Sequence, residues 1–219
     1  MRRISKYFLI LLTLIVYSCD QEQKELKTYN DAGKLDNIKY YTTQADTSTY
    51  YIKYFKDDGT LKCEGQKSNG KKTGKWKYYN NKQIVESVEK FNDGLLTDTQ
   101  TYYFADGKLD RYKILDQPIP CFCDTQLHYG FTQVAYWRNG KLREINHTKN
   151  CEFDGKTQLY DSTTGILREE FFETMGQRNG PYKKFYLDSS VMVGDYKDGQ
   201  PIGKWKTVKG DKTLSEKEY

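Results

Sequence analysis

Residues 69–77 read NGKKTGKWK, and the same phrase returns as DGQPIGKWK over residues 198–206. Each copy holds a glycine, a second glycine four residues later and a tryptophan six residues later: Gly70, Gly74 and Trp76, then Gly199, Gly203 and Trp205. Asn-Gly and Asp-Gly supply the positive φ angles that two-residue hairpin turns require. After the turn, lysine and aromatic residues alternate as they do on the two sides of a strand. The phrase therefore predicts a β-hairpin with one aromatic side.

A second phrase recurs between the copies of the first. It runs from an aromatic residue through a few polar residues and a glycine to an aliphatic residue, and its glycines are Gly33, Gly59, Gly107, Gly140 and Gly165. Residues 78–84 and 185–191 repeat it without the glycine, and weaker copies of the first phrase surround Gly94 and the expected turn at Asn179-Gly180. The period is 24 to 26 residues, except for the 33 residues from Gly107 to Gly140. That excess predicts an insertion near residues 116–129.

One such hairpin cannot bury its own rings, so neighbouring hairpins must stack. No stretch between the glycines sustains the 3.6-residue period of a helix. The sequence therefore predicts an all-β fold. It should be an elongated antiparallel sheet of about seven to eight stacked hairpin units over residues 28–219.

Both phrases resemble the variant MORN repeats of bacterial proteins, whose signatures are G-x-x-x-G-x-W/Y-x-x-Y and Y-x-x-x-G-x-L. The resemblance covers residues 28 to 214, and it implies a twisted sheet built from successive hairpins. Similar bacterial proteins are often described as antitoxins. The resemblance therefore implies neutralisation of a toxin as one candidate role.

The N-terminus has the pattern of an export signal. Arg2, Arg3 and Lys6 precede an apolar run over residues 8–16, which is too short to span a membrane. Ser18-Cys19 then resembles a bacterial lipobox. Residues 1–18 are thus predicted to be a lipoprotein signal peptide, with a lipid on Cys19 and a flexible tether over residues 19–27. We expect an anchor in the cell envelope, at the outer membrane, and the pattern leaves open which side the protein faces.

The composition argues against a nucleic-acid partner. The formal charge is +5, and removal of the three basic residues of the signal peptide leaves +2. A net charge this small gives no electrostatic basis for binding a polyanion. Aromatic residues make up 15% of the chain, including 20 tyrosines, which suits β structure and not disorder.

Four cysteines follow Cys19. An exported protein meets an oxidising compartment, so these cysteines can form disulfides. We expect Cys151 to pair with Cys121 or Cys123, which would fix the insertion to the sheet. The alternative is a metal site that adds His128 or His147 to these cysteines. Cys-x-Cys is not the usual zinc spacing, so no metal and no cofactor are predicted.

No catalytic group of residues stands out. The chain has two histidines, and His147 lies in a polar run that reads as a surface loop. The paired carboxylates Glu169-Glu170 and Asp57-Asp58 read as solvated strand and turn charges. The sequence therefore predicts a non-enzymatic scaffold that binds a protein in the envelope. An antitoxin or immunity protein is one alternative, and a glycan-binding or glycan-acting protein is another.

Overall fold

The computed structural model describes residues 24–41, 47–117, 119–120, 130–150 and 152–219. The regular elements in these ranges are all β-strands. The described residues contain no helix that could cross a membrane. The signal peptide, Cys19, Cys121, Cys123, Cys151 and most of the insertion lie outside the described residues. The strands, in chain order, are β1 (Lys24–Tyr29), β2 (Leu35–Tyr41), β3 (Thr49–Phe55), β4 (Leu61–Ser68), β5 (Lys71–Tyr79), β6 (Val85–Asn92), β7 (Leu95–Tyr103), β8 (Leu109–Leu115), β9 (Ile119–Pro120), β10 (Gly130–Tyr136), β11 (Leu142–Lys149), β12 (Glu152–Phe153), β13 (Gly155–Tyr160), β14 (Leu167–Thr174), β15 (Gln177–Phe185), β16 (Val191–Lys197), β17 (Gln200–Lys209) and β18 (Lys212–Glu218).

The strands form one sheet in which every pairing is antiparallel and neighbours follow chain order. The two-residue strand β9 pairs with β7, and β10 takes the place beside β8. In the same way β12 pairs with the end of β11, ahead of β13. The sixteen longer strands make eight two-stranded units. The predicted all-β sheet of stacked hairpins is confirmed.

The sheet begins earlier than the sequence suggests. Residues 24–27, expected to belong to the tether, lie in β1 and pair with β2 from Lys24↔Tyr41 onward. All six residues of β1 are exposed. The strand is thus held by its backbone ladder and not by burial, which is why its hydrophobic pattern gave no signal.

Long turns join the strands along one border of the sheet. In the turn over residues 56–60, the Lys56 N–H donates to the Thr60 carbonyl (2.8 Å) and the Gly59 N–H donates to the Lys56 carbonyl (2.9 Å). Gly59 has a φ of 80°. The degenerate copy over residues 80–84 makes the same two hydrogen bonds with Gln83 at a φ of 59°. The turn therefore keeps its shape without glycine, at a cost of about 1 kcal/mol.

Two-residue turns join strands along the opposite border. Asn69 and Gly70 have φ angles of 49° and 77°, the pair of positive values that defines a type I′ turn. The prediction of a turn at Asn179-Gly180 is wrong, because both residues lie inside β15. The turn before β15 is Met175-Gly176, again with two positive φ angles. Tyr182 then falls six residues after the turn glycine, in the place that tryptophan holds in the two clear copies.

The two sides of the sheet differ in burial. We call the side that bears Trp76 and Trp205 the Trp face, and the other side the reverse face. Strand register puts most of the buried side chains on the Trp face, including Ile52 and Trp76, which are 1% and 0% exposed. The extensive strand contacts all join close neighbours within the sheet. Side chains of adjacent strands must therefore cover one another, because no second layer among the described residues does so.

Two groups of rings form this core. The N-terminal cluster consists of Ile52, Cys63, Trp76, Phe91, Leu96 and Ile119. The C-terminal cluster consists of Phe171, Tyr182 and Trp205, with Tyr196 and Met192 against it. The ring centroids of Tyr182 and Trp205 are 5.2 Å apart, within the range of favourable aromatic pairs.

A glycine on the preceding strand makes room for Trp76 and another for Trp205. A Cβ added to Gly65 would lie 2.5 Å from Cδ2 of Trp76, and Gly194 is crowded in the same way by Trp205. Each glycine is eleven residues before its tryptophan. The equivalent place in the unit of Tyr182 holds Phe171, whose ring stacks on the smaller partner with centroids 6.4 Å apart. The spacing of eleven was a signal that the sequence analysis missed.

Candidate binding surfaces

Polar side chains replace the aromatic pair in the middle of the Trp face. By strand register, the places of Gly65 and Trp76 are taken in the next unit by Glu89 and Gln100. The Gln100 Nε2 donates to Glu89 Oε1 at 3.2 Å. On β11, the equivalent place is held by Asn146, which is buried. The two aromatic clusters are thus separated by a polar strip.

A cleft of about 390 Å³ opens in this strip, where β10, β11 and β12 meet the turn between β14 and β15. We call it the central cleft. The Gly176 N–H donates to the Phe153 carbonyl at 2.8 Å, which ties the turn to β12. The cleft is lined by Phe131, Gln133, Asn146, Thr148 and Phe153, with Glu152 and Gly176 beside them.

The cleft combines buried polar groups with an accessible ring. Asn146 and Thr148 are 3% and 6% exposed, and no described residue hydrogen-bonds the buried Oδ1 of Asn146. Gln133 is held in place because its Nε2 donates to Glu144 Oε1 at 2.9 Å. Phe153, in contrast, is 45% exposed. The cleft therefore has the apolar wall and fixed polar groups of a small-molecule site.

At the aromatic clusters, the chain supplies its own cation to the rings. The Lys72 Nζ lies 4.8 Å from the ring centroids of both Trp76 and Phe91. The Arg178 guanidinium carbon lies 4.3 Å from the centroid of Phe171. Both cations stand two residues after a turn glycine, Gly70 in one unit and Gly176 in the other. These contacts are favourable cation–π interactions.

The reverse face displays large apolar side chains along its length. Tyr51, Ile114 and Phe172 are 38%, 45% and 38% exposed, and register puts all three on this side. They belong to β3, β8 and β14, which are far apart in the sheet. Each is therefore a single exposed side chain on this face, several strands from the next.

A carboxylate on the reverse face organises two tyrosines. The Tyr79 hydroxyl donates to Glu64 Oε1 at 2.5 Å, and Lys53 Nζ lies 3.9 Å from the other carboxylate oxygen. Burial raises the pKa of Tyr51 to about 12, and the negative charge of Glu64 adds to the shift. Burial and the same carboxylate also raise the pKa of Tyr79. Both hydroxyls therefore stay protonated through the neutral range.

The structure moves some residues from where the sequence analysis put them. His147 lies in β11 and not in a loop, with Nε2 3.6 Å from an Asp116 carboxylate oxygen on the reverse face. Glu169 and Glu170 are adjacent in β14 and so point to opposite sides of the sheet, which prevents them from sharing one site. Cys63 is a free, buried member of the N-terminal cluster.

The repeat glycines all stand at turns or strand irregularities. Their φ angles lie between 62° and 84° at Gly59, Gly70, Gly74, Gly94, Gly107, Gly140, Gly165, Gly199 and Gly203. These positions shape the sheet and do not converge on one site. The central cleft, which does converge, includes none of the residues that the repeat phrases single out.

Comparison with known proteins gives no family. No family model and no curated protein matches the sequence. Among solved structures, a Tc holotoxin pore of Photorhabdus luminescens with a mutated TccC3 aligns at a TM-score of 0.25 and 10% identity. A TcdB2-TccC3-TEV structure aligns at 0.24 and 11%. Each alignment covers 87% of this chain and 12% of the toxin-complex chain, so this chain spans a small part of either.

Proposed function

We propose that this chain is a lipid-anchored, non-enzymatic scaffold of the cell envelope that binds a protein through its reverse face. The supporting observation is that exposed apolar side chains recur along that face, at Tyr51, Ile114 and Phe172. An interface needs apolar side chains of this kind at its centre with charged groups around them. Lys53, Glu64 and Glu170 supply such charges on the same side.

Three considerations support binding over catalysis. The chain's own Lys72 and Arg178 lie over rings of the aromatic clusters on the Trp face. The carboxylates of Glu169 and Glu170 point to opposite faces, so they do not form the pair that a hydrolase uses. A stack of hairpins does offer a long, regular surface, which is how repeat proteins bind their partners.

Site-specific photo-crosslinking in the native envelope tests the protein-binding role. Phe153 and Phe172 are both exposed phenylalanines, 45% and 38% accessible, but they stand on opposite faces. Each is replaced, in separate full-length proteins, by a photoreactive phenylalanine analogue. We expect Phe172→analogue to give one cross-linked protein of defined mass, and Phe153→analogue not to give that adduct. A third protein carries the analogue at Ile114, also on the reverse face. The proposal fails when neither Phe172 nor Ile114 yields a specific adduct, whatever Phe153 gives.

The anchor is tested separately. Metabolic labelling with a palmitate analogue should mark the full-length chain, and Cys19→Ala should abolish the label and release the protein from the membrane fraction. Ser18→Ala, which keeps a small residue before the cysteine, serves as the control and should remain labelled. An unlabelled wild-type protein would contradict the lipid anchor.

A further inference from the structure

We infer that the central cleft is a binding site for a neutral saccharide unit. This inference goes beyond the proposed protein-binding role, because it concerns the Trp face and a different class of ligand. It is carried by one arrangement: an exposed ring and fixed, buried hydrogen-bonding groups on opposite sides of one cleft.

The ring is Phe153 on β12. Its exposure of 45% is large for a phenylalanine in the wall of a cleft. Phe131 lies across the cleft on β10. Thr148 of β11 stands between the two rings, because it pairs with Phe131 on one side and with Phe153 on the other. A pyranose has one side made of C–H bonds, and such a surface packs well against the electron-rich face of an aromatic ring. The ring therefore provides a platform for the apolar side of a sugar.

The polar groups lie on β10 and β11. The Oδ1 of Asn146 is buried and has no hydrogen-bond donor among the described residues, although buried carbonyl groups are nearly always paired. Asn146 lines the cleft, so a ligand hydroxyl can donate to this oxygen once the amide turns towards the open space. The neighbouring Thr148 hydroxyl can both donate and accept, as sugar hydroxyls do. Gln133 is fixed by Glu144, so its amide needs little ordering when a ligand binds.

The charges around the cleft favour a neutral ligand. Lys113 approaches from the β8 side, with Nζ 4.3 Å from the ring centroid of Phe131. Glu152 pairs with Lys149 and alternates with Phe153 along β12, so its carboxylate belongs to the reverse face. The other described residues that line the cleft carry no charge, which suits a neutral ligand. A volume of about 390 Å³ is at the small end of the range of roughly 300–1,000 Å³ for ligand pockets, which suits one or two sugar rings.

The test uses the full-length chain in a detergent without a sugar head group. Cellobiose, maltose and di-N-acetylchitobiose are titrated while saturation-transfer NMR reports which sugar protons contact the protein. We expect at least one of the three to bind, with its ring C–H protons receiving most of the transfer because they lie on Phe153. Phe153→Ser should abolish that binding. Phe172→Ser removes an exposed ring from the reverse face instead, and it should leave binding unchanged.

A second variant separates binding from folding. Asn146→Leu removes the unpaired acceptor and keeps the branched outline of the side chain, although leucine is larger than asparagine. Its thermal unfolding midpoint is therefore measured beside that of the wild type, and we expect a folded protein. Sugar binding should weaken about tenfold, the value of one hydrogen bond. The inference is overturned when none of the three disaccharides binds, or when Asn146→Leu binds as well as the wild type. Binding of short peptides alone would overturn it too, and would assign the cleft to a protein partner. The cross-linking at Phe172 does not depend on any of these outcomes.

Discussion

At the scale of single residues, the fit of Trp76 and of Trp205 depends on a neighbouring glycine that has no methyl group. Gly65 lies directly against the Trp76 indole, which is fully buried. The unit of Tyr182 solves the same problem with a larger residue, Phe171, and a smaller ring. The two positions therefore vary together because the space between adjacent strands is fixed.

Gly65→Ala should lower the free energy of unfolding by about 2 kcal/mol, because overfilling a packed site costs about 1–3 kcal/mol. Urea denaturation followed by circular dichroism measures it. In the background of Trp76→Leu the same change should cost at least about 1 kcal/mol less, since the two residues touch. Equal costs in the two backgrounds would show that the indole is not what excludes the methyl group.

The Glu64 carboxylate gives stability a dependence on alkaline pH. Ionised tyrosine is disfavoured at Tyr51, whose pKa rises from 10.0 to about 12 on folding. This contribution is fully present below pH 10 and is lost as the pH rises through 12. Glu64→Gln removes the negative charge, which is the second cause of the raised pKa, and leaves the effect of burial. In an ultraviolet absorbance titration, the tyrosines that ionise last should therefore ionise at a lower pH than in the wild type. Glu86→Gln, an exposed carboxylate on β6, is the control; an identical effect from both variants would refute the role of Glu64.

At the scale of the elements, turns are the features that the sequence predicted best. A type I′ turn requires positive φ angles at two adjacent residues, so the dipeptides Asn-Gly and Asp-Gly predict it without reference to the rest of the chain. The turn before β15 escaped detection because Met175 takes a φ of 50°, which methionine rarely adopts. Asn179-Gly180 has the composition of such a turn, and the turn was therefore predicted there, although both residues lie in β15.

The cleft could not be predicted for a different reason. It joins residues as distant in sequence as Phe131 and Gly176, and which side chains meet there depends on register between strands. Strand irregularities, such as the one between Phe171 and Glu173, shift that register by two residues. A pattern of glycines and aromatics reports the period of the hairpins, but it does not report which residues stand opposite one another.

Met175→Asn should stabilise the hairpin of β14 and β15 by about 0.5–1 kcal/mol, because asparagine tolerates the left-handed conformation that methionine resists. Met175 is 72% exposed, so little packing is lost. The reverse exchange at the equivalent turn, Asn69→Met, should destabilise by a similar amount. Thermal unfolding midpoints compare the two variants. Shifts in the same direction for both would contradict the account of turn strain.

At the scale of the whole molecule, the polar strip divides the core. The N-terminal cluster lies on β3 to β7 with β9, and the C-terminal cluster on β14 to β17. Between them β8, β10 and β11 are joined by backbone pairing and by polar side chains. Repeat sheets of this kind gain stability from nearest-neighbour contacts, so the two ends should open independently.

The central claim is that this single sheet is held by two separate aromatic clusters on one face. Hydrogen exchange by mass spectrometry on the wild type and Trp76→Leu tests it most directly. Replacing the indole with the smaller leucine should destabilise the N-terminal cluster, by less than the roughly 3–5 kcal/mol of a truncation to alanine. We expect faster exchange in β3 to β7 and unchanged protection in β14 to β17. Equal loss of protection across all strands would contradict the claim, because it would mean that one cooperative core holds the entire sheet.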